Sequence, residues 1–185
     1  GVQTCALPIY DEVIETGKYT GNEWRTPEVF AQNRLPQRAN IIPYDDENGI
    51  EKWDYRQSSA YLPLDEGWRV DYTTDYADRA AEIEDPSFAP SGWAAIELPD
   101  VRWVKERRQL RRPTFPRNAE PMEKGNATAL YYNEFDVPKN WAEVSVILQL
   151  QPLSACYVWV NHHYVGYAED GRSLAEFDIS QHLVY

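Results

Sequence analysis

Hydrophobic and polar residues alternate with a period of two through the C-terminal third of this chain. The alternation is clearest in three segments, residues 130–137, 144–150 and 155–161. Successive side chains of a β-strand point to opposite faces, so this pattern predicts three strands that each bury one face. An Asn-His-His-Tyr turn at 161–164 would lead the third strand back into a partner at 165–167, which predicts a hairpin.

The same alternation assigns side chains to faces. One face of the second segment would hold its aliphatic residues, which are Val144, Val146, Leu148 and Leu150. In the third segment two aromatic residues would oppose three smaller ones: Tyr157 and Trp159 against Cys156, Val158 and Val160. Core packing is therefore favoured over sugar stacking for the tryptophans in strand patterns, which are Trp68, Trp93 and Trp159.

Two further strand patterns precede these three segments. Alternate residues within 64–72 share one face, and residues 93–98 form a second short pattern. Between them, residues 76–84 predict a short helical stretch with Thr74 or Asp75 as its N-terminal cap.

The rest of the chain shows no sustained period. Residues 10–59 are polar with scattered prolines, which predicts an extended N-terminal arm whose Trp24 and Phe30 dock on the protein. Residues 105–125 combine clustered basic residues with prolines and predict a long loop. Many short strands separated by turn signals predict an all-β fold, an antiparallel β-sandwich of the jelly-roll, galactose-binding-domain-like type over residues 60–185.

Charge and composition narrow the range of ligands. The chain has 185 residues and a formal net charge of -12, so it would repel nucleic acid and anionic membrane surfaces. Neutral sugars or small polar molecules remain as ligands. Only Cys5 and Cys156 are present, far apart, which suggests neither a zinc site nor a disulfide framework. Cys156 is expected to be a small buried side chain.

The first nine residues are treated separately. Their sequence, GVQTCALPI, equals the translation of a string that resembles a common sequencing-library adapter, so residues 1–9 are excluded from the fold. Cys5 is then assigned no role. The lack of a signal peptide carries no information, and the localisation is unknown.

A cluster of charged residues after the hairpin is the main candidate for function: Glu169, Asp170, Arg172, Glu176 and Asp178. At the end of a strand, Glu169 and Asp170 can point toward solvent or a ligand, and Gly171 permits a sharp reversal. The alternative is a solvated loop held by a pair between Arg172 and a carboxylate, worth less than about 1 kcal/mol when exposed. Composition alone favours the solvated loop.

These carboxylates do not form a visible catalytic pair. A glycosidase needs two carboxyl groups that face one sugar, about 5 Å apart for retention or about 6.5 to 9.5 Å for inversion. Glu169 and Asp170 are neighbours and diverge in extended backbone. Glu176 and Asp178 flank Phe177, whose core position leaves no obvious cleft.

Other reactive residues also lack the expected context. The histidines do not have the spacing of a zinc site: His162, His163 and His182. The serines lack a nucleophile elbow. The basic residues within 105–112 are expected to contact acidic surface of the protein itself or of a neighbouring domain.

Five segments carry a more specific pattern: NEWRTPEVFAQNRLPQRANIIPY, YLPLDEGWRVDY, SGWAAIELP, ALYYNEFDVPKNW and VWVNHHYVGYAEDGRSLAEFDISQHL. Together they cover most of residues 22–183. They resemble the N-terminal, sugar-binding domain of the β-galactosidases of glycoside hydrolase family 2. The last two segments match best, because sequences of that family contain Phe-x-Val-Pro, then Val-Asn-Gly-x-x-Val-Gly-Tyr, and then Glu-Phe-Asp-(Ile/Leu)-Ser.

The resemblance implies a role for the acidic loop. In such β-galactosidases the loop aspartate reaches into the active site of a neighbouring barrel, where it contacts the galactosyl subsite and a bound alkali or magnesium ion. The matching residue is Asp170, which would therefore bind both the sugar and Na+ or Mg2+. Hard cations and sugar hydroxyls both favour carboxylate oxygen.

The resemblance also implies what lies outside this chain. The two catalytic glutamates of the family belong to a (β/α)8 barrel that follows an immunoglobulin-like domain. This chain would then have no catalytic residue of its own, would be truncated at both ends and would be inactive alone. A homo-oligomeric parent enzyme is compatible with the resemblance.

We therefore expect the N-terminal, non-catalytic domain of a retaining exo-glycosidase that hydrolyses terminal β-D-galactosides. The segment DVRWVKERRQLRRPTFP departs from the family, because it keeps only Trp103 and the closing residues 114–116 and lacks the asparagine that contacts galactose. Two alternatives stay open. One is a stand-alone carbohydrate-binding module, and the other is a structural domain of a family 2 glycosidase with another sugar specificity.

Overall fold

The structure is a computed structural model that describes residues 16–44, 47, 50, 55–73, 75–79, 81–85, 87–98, 127–152 and 154–185. Its strands are β1 (Ala31–Gln32), β2 (Trp68–Thr73), β3 (Ala94–Ile96), β4 (Thr128–Tyr132), β5 (Ile147–Leu150), β6 (Cys156–Val160), β7 (His163–Ala168) and β8 (Ala175–Asp178). Single-turn 3-10 helices lie at Glu23–Arg25, Tyr55–Gln57, Tyr76–Asp78, Ala81–Glu84, Lys139–Trp141 and Ser180–His182. All paired strands are antiparallel. The prediction of an all-β, antiparallel fold is therefore confirmed, whereas the jelly-roll connectivity stays a prediction.

The predictions for residues 1–9 and 105–125 lie outside the described residues. No helix in the part of the chain that the structure describes is long and apolar enough to cross a bilayer.

The chain divides into two compact units, one formed by Gly1–Pro63 with Val137–Tyr185 and the other by Leu64–Asp136. The first unit contains a three-stranded sheet in the order β1-β7-β6 and a two-stranded sheet, β5-β8. Buried side chains from both sheets and their ends form one core: Val146, Val158, Val165, Ala168, Ala175, Phe177 and Ile179. The two sheets thus share a hydrophobic layer, as in a β-sandwich.

The β6-β7 hairpin confirms the predicted pairing and faces, but its turn is shorter than predicted, because His163 and Tyr164 already belong to β7. Asn161 and His162 both have positive φ, 47° and 67°, as the two central residues of a type I′ turn require. Cys156 packs against the core on one face of β6, together with Val158 and Val160. On the other face Tyr157 and Trp159 contact the ring of Tyr19, with centroids 5.4 and 5.2 Å apart.

The assignment of Val144 to the buried face is wrong. Val144 is 37% exposed, while Val146 is buried and Leu148 and Leu150 pack on the core. The backbone N–H of Val144 donates to the carbonyl of Trp141, so the chain still turns at this point and β5 begins only at Ile147. The period of two therefore does not extend back to Val144.

The N-terminal arm docks on the first unit mainly through its backbone and polar groups. Its strand β1 pairs with β7, and Asn33 donates to the carbonyls of Gly17 and Val165 at 3.1 Å each. Glu23 is buried and accepts from the Tyr157 hydroxyl at 2.9 Å. Phe30 contacts the Arg34 guanidinium but stays 47% exposed, so its predicted docking is only partial.

The second unit is built on a sheet with the order β3-β2-β4. Val70, Ile96 and Leu130 are its buried strand residues, which agrees with the predicted face of residues 64–72. The predicted helical stretch consists of the two 3-10 turns at Tyr76–Asp78 and Ala81–Glu84. Asp75 caps the first turn by accepting from the N–H of Ala77.

Gly166 lies at the most crowded point of β7. A Cβ atom added there would lie 2.6 Å from the carbonyl oxygen of Gln32 on β1 and 2.6 Å from the ring of Phe177 on β8. Contacts that short do not occur between a real Cβ and its neighbours. The absence of a side chain at Gly166 therefore lets β1 and β8 approach β7 from both sides.

We predict that Gly166→Ala lowers the unfolding free energy of this chain by about 1–3 kcal/mol, the usual cost of overpacking a tight core. The Gln32 contact is with backbone and cannot relax by a rotamer change. Thermal or urea unfolding measures the effect. An unchanged midpoint would show that β1 does not lie against Gly166.

Candidate functional site

The acidic loop, residues 169–174, joins β7 of one sheet to β8 of the other at one end of the first unit. The arm contacts its first residue, because the N–H of Glu169 donates to the carbonyl of Phe30 at 3.2 Å. It also contacts the strand after the loop, where the N–H of Leu35 donates to the carbonyl of Glu176 at 2.8 Å. The loop is thus held between the arm and two strands.

Asp170 presents an oriented carboxylate on this loop. Its Oδ1 accepts from the backbone N–H of Arg172 at 2.9 Å, and its Oδ2 accepts from Nε2 of Gln37 on the arm at 3.1 Å. The side chain remains partly exposed. The sequence left open an ion pair between Arg172 and a carboxylate. In the described residues of the loop, Arg172 instead contacts Asp170 through its backbone N–H.

These donors stabilise the ionised form of Asp170. A hydrogen bond from the Ser173 side chain, with those of the Arg172 N–H and Gln37, lowers the pKa of Asp170 to about 2. The carboxylate is therefore fully charged at neutral pH. Because the side chain is partly exposed, a ligand hydroxyl can approach the carboxylate and compete with its present donors.

Glu169 and Asp170 point to different partners, as their adjacency predicts. Glu169 accepts a short hydrogen bond from the hydroxyl of Tyr167, whose ring is buried in the sheet. Burial, and then the bond to Glu169, raise the pKa of Tyr167 well above its usual value. Glu169 is thus part of the fold, while Asp170 is available at the surface.

Glu176 also has a structural role, one that the sequence pattern did not indicate. Its side chain is only 4% exposed, and Arg38 donates to its two oxygens through Nε and Nη2 at 2.7 and 3.0 Å. Nε2 of Gln149 donates to the same carboxylate at 2.7 Å. Asp178, two residues further on, is exposed and caps Ser180. The structure does not bring Glu176 and Asp178 together on a cleft.

Gln37 and Arg38 are the site residues that sequence reasoning missed. Both lie in a polar stretch of the arm where no period predicts contacts. Their partners are more than 130 positions away in the sequence, Asp170 for Gln37 and Glu176 for Arg38. The only sequence signal was that this stretch lies within one of the segments that resemble the family.

Two of the three histidines, His163 and His182, form a pair of stacked rings. The rings of His163 and His182 lie 5.4 Å apart at an interplanar angle of 22°. Burial, and then the charge of His163, lower the pKa of His182. Nδ2 of Asn161 donates to the carbonyl of His182 at 2.6 Å, which joins the hairpin turn to the chain end.

Cys156 lies against the core as predicted. Burial raises the pKa of its thiol to about 11, so the thiol is protonated at neutral pH.

We tested whether the residues around Asp170 fit a cation. Magnesium takes about six oxygen ligands in a near-octahedral arrangement. Within the residues that the structure describes, no three His, Cys, Asp or Glu side chains come together. Asp170 can supply a carboxylate ligand, but the described residues do not form a complete cation site.

The fold and the loop define an all-β domain in which a sheet-to-sheet connection presents an ionised, accessible carboxylate. Residues 112–185 match the family model described as glycosyl hydrolases family 2, sugar binding domain. This match agrees with the resemblance that the sequence motifs indicate.

Several β-galactosidases are similar to this chain. The β-galactosidase of Priestia megaterium is 28% identical over 92% of this chain and 18% of its own length. The β-galactosidase large subunit of Leuconostoc lactis is 25% identical over 85% of this chain and 28% of its own length. The β-galactosidase of Lactococcus lactis subsp. lactis is 30% identical over 85% of this chain and 15% of its own length. The chain therefore spans between 15% and 28% of the length of these relatives.

We predict that Gln37→Leu raises the pKa of Asp170, because one donor to the carboxylate is lost while those of Ser173 and Arg172 remain. The carboxyl carbon of Asp170, followed by NMR through an acid titration, should titrate near pH 2 in the wild-type chain and higher in the variant.

Gln181→Leu is the matched control, since Gln181 lies beyond the other end of β8. The folded-state pKa of Asp170 is depressed from about 3.9. The ionised Asp170 therefore contributes fully to the free energy of unfolding above about pH 4, and this contribution is lost as the pH falls through about 2. Equal titration curves in all three proteins would contradict the Gln37 contact.

Proposed function

We propose that this chain is the N-terminal, sugar-binding domain of a retaining exo-glycosidase that acts on terminal β-D-galactosides. The observation that carries the proposal is the orientation of Asp170. A charged carboxylate is fixed by Gln37 and Arg172 at the surface of a loop that matches the family's sugar-binding domain. The names of the similar proteins, all β-galactosidases, support the choice of reaction.

In this proposal Asp170 binds and orients, and it does not react. Its carboxylate accepts hydrogen bonds from sugar hydroxyls, which suits a ligand that is neutral and rich in donors. Because the arm and the loop backbone already hold both oxygens, little side-chain entropy is lost when a sugar binds. A cation such as Na+ or Mg2+ would share this carboxylate and draw its other ligands from elsewhere.

The two carboxyl groups of a retaining glycosidase would lie in polypeptide beyond this chain. Such an enzyme needs a general acid and a nucleophile about 5 Å apart. Within the described residues the carboxylates around the acidic loop do not meet that need. Glu169 is bonded to Tyr167, and Glu176 is paired with Arg38. This chain would shape the sugar pocket, and the remaining domains would perform the chemistry.

The first test is Asp170→Ala in a full-length protein that carries this segment. We expect hydrolysis of β-galactosides to fall by at least tenfold, mostly through a higher KM, while the melting temperature changes little. Asp136→Ala is the matched control, because Asp136 is also an exposed aspartate near the end of a strand. If the loss of activity in Asp170→Ala came with a large fall in melting temperature, the effect would be structural and the assignment would be overturned.

The second test uses this 185-residue chain by itself. The purified chain should not hydrolyse nitrophenyl β-galactoside, because it would lack both catalytic carboxylates. Release of nitrophenol is followed by absorbance, with a full-length family 2 β-galactosidase as the positive control. Turnover that copurifies with the chain and disappears in Asp170→Ala would mean that the acidic loop itself is catalytic.

A further inference from the structure

Arg34 is a buried guanidinium on the arm. It follows β1 and Asn33, whose positive φ of 55° turns the chain from β7 toward β8. Its backbone is fixed on both sides, because Asn33 donates to the carbonyl of Val165 and the N–H of Leu35 donates to that of Glu176. Arg34 is only 4% exposed. Its side chain therefore remains inside the protein while these contacts are intact.

Two of the three guanidinium nitrogens of Arg34 lack acceptors among the described residues. Among the residues that the structure describes, Nε and Nη1 of Arg34 have no hydrogen-bond partner, although both atoms are buried. The known contact of the guanidinium is with the ring of Phe30, whose centroid lies 5.3 Å from Cζ. A cation over a phenyl face compensates only part of the desolvation that burial costs.

The acidic side chains in and after the loop are bonded to donors other than Arg34. Glu169 accepts from Tyr167, Asp170 from Gln37, and Glu176 from Arg38 and Gln149. Arg38, four positions further along the arm, shows the contrast. Its Nε and Nη2 both meet a carboxylate within the chain. Within the described part of the chain, the two arginines differ in that Nε of Arg38 has a carboxylate partner and Nε of Arg34 has none.

We propose that Arg34 and Phe30 form a docking site for a carboxylate side chain of a polypeptide segment outside this chain. Phe30 supplies the exposed apolar rim, at 47% exposure, and Arg34 supplies the unsatisfied cation beneath it. This inference goes beyond the proposed function and does not depend on Asp170.

Two observations favour a protein carboxylate over a free anion. The net charge of -12 repels dissolved anions, whereas a carboxylate attached to a docked surface does not have to be captured from solution. The β-galactosidases similar to this chain are also several times longer, so they contain polypeptide that can supply such a side chain.

The experiment compares Arg34→Met with Arg38→Met in this 185-residue chain. Removing an unsatisfied buried cation should raise the melting temperature by about 2–4 °C, the shift that a modest gain in stability gives in a chain of this size. Arg38→Met should lower the melting temperature, because it leaves Glu176 buried without its cation. A decrease in both variants would show that Arg34 is already satisfied within the chain and would overturn the proposal.

Acetate is the probe for the carboxylate itself. Sodium acetate at neutral pH should stabilise the wild-type chain more than sodium chloride at the same ionic strength, and the difference should disappear in Arg34→Met. The titration is repeated on Phe30→Ala, which removes the ring that contacts the Arg34 guanidinium. Stabilisation by acetate in neither protein would overturn the proposal.

In a full-length protein that carries this segment, the sign of the Arg34→Met effect should reverse. The docked carboxylate would then lose its partner, so the melting temperature should fall rather than rise. An increase in the full-length protein would mean that no carboxylate docks there. Galactoside hydrolysis is not the readout, so failure here is distinguishable from failure of the role proposed for Asp170.

Discussion

A carboxylate buried inside a protein needs hydrogen-bond donors. The position of the acidic loop depends on the donors that the buried Glu176 carboxylate has. Its oxygens accept from Arg38 on the arm and from Gln149 on β5. Leaving such a group unpaired costs about 3–5 kcal/mol, so the arm is held on β8. Gln37 is the neighbour of Arg38 in the sequence, and the same attachment therefore brings its amide to Asp170. The orientation of the exposed carboxylate is set by the burial of another one.

The three carboxylates of this region have different roles because their donors differ. Glu169 accepts from a buried tyrosine and joins the loop to the sheet. Glu176 accepts from an arginine and an amide and joins the arm to β8. Asp170 accepts from a backbone N–H and a side-chain amide and keeps an open side toward solvent. A ligand that approaches the loop therefore meets one ionised group in a fixed position rather than a diffuse acidic patch.

Local pattern predicted the strands and the hairpin because both follow from short-range constraints. The alternation around Val158 reflects the pleat, and Asn161 indicates a tight turn even though its neighbour is histidine. The same pattern failed at Val144, where the chain still turns. The burial of Glu176 could not be predicted from the pattern, because it depends on an arm residue 138 positions away. No local period contains that information.

The candidate site shows the same limit. Composition around Asp170 favoured a solvated loop, and only the resemblance to a family singled this residue out. Neither the composition nor the resemblance predicted the hydrogen bonds from Gln37 and Arg172, because these bonds depend on the path of the arm and on the turn of the loop. Arg34 likewise lies in a matched motif, yet its unsatisfied burial is visible only in three dimensions.

The pairing of β1 with β7 has a consequence for the order of events during synthesis. Ala31 leaves the ribosome long before its partner Ala168 has been translated, and residues 64–136, which form a compact unit of their own, are made in between. The intervening unit can acquire its sheet from contacts that are closer in sequence, whereas the arm has to wait for the last strands. Nascent chains of this protein would thus carry an unpaired N-terminal segment until β7 has been translated.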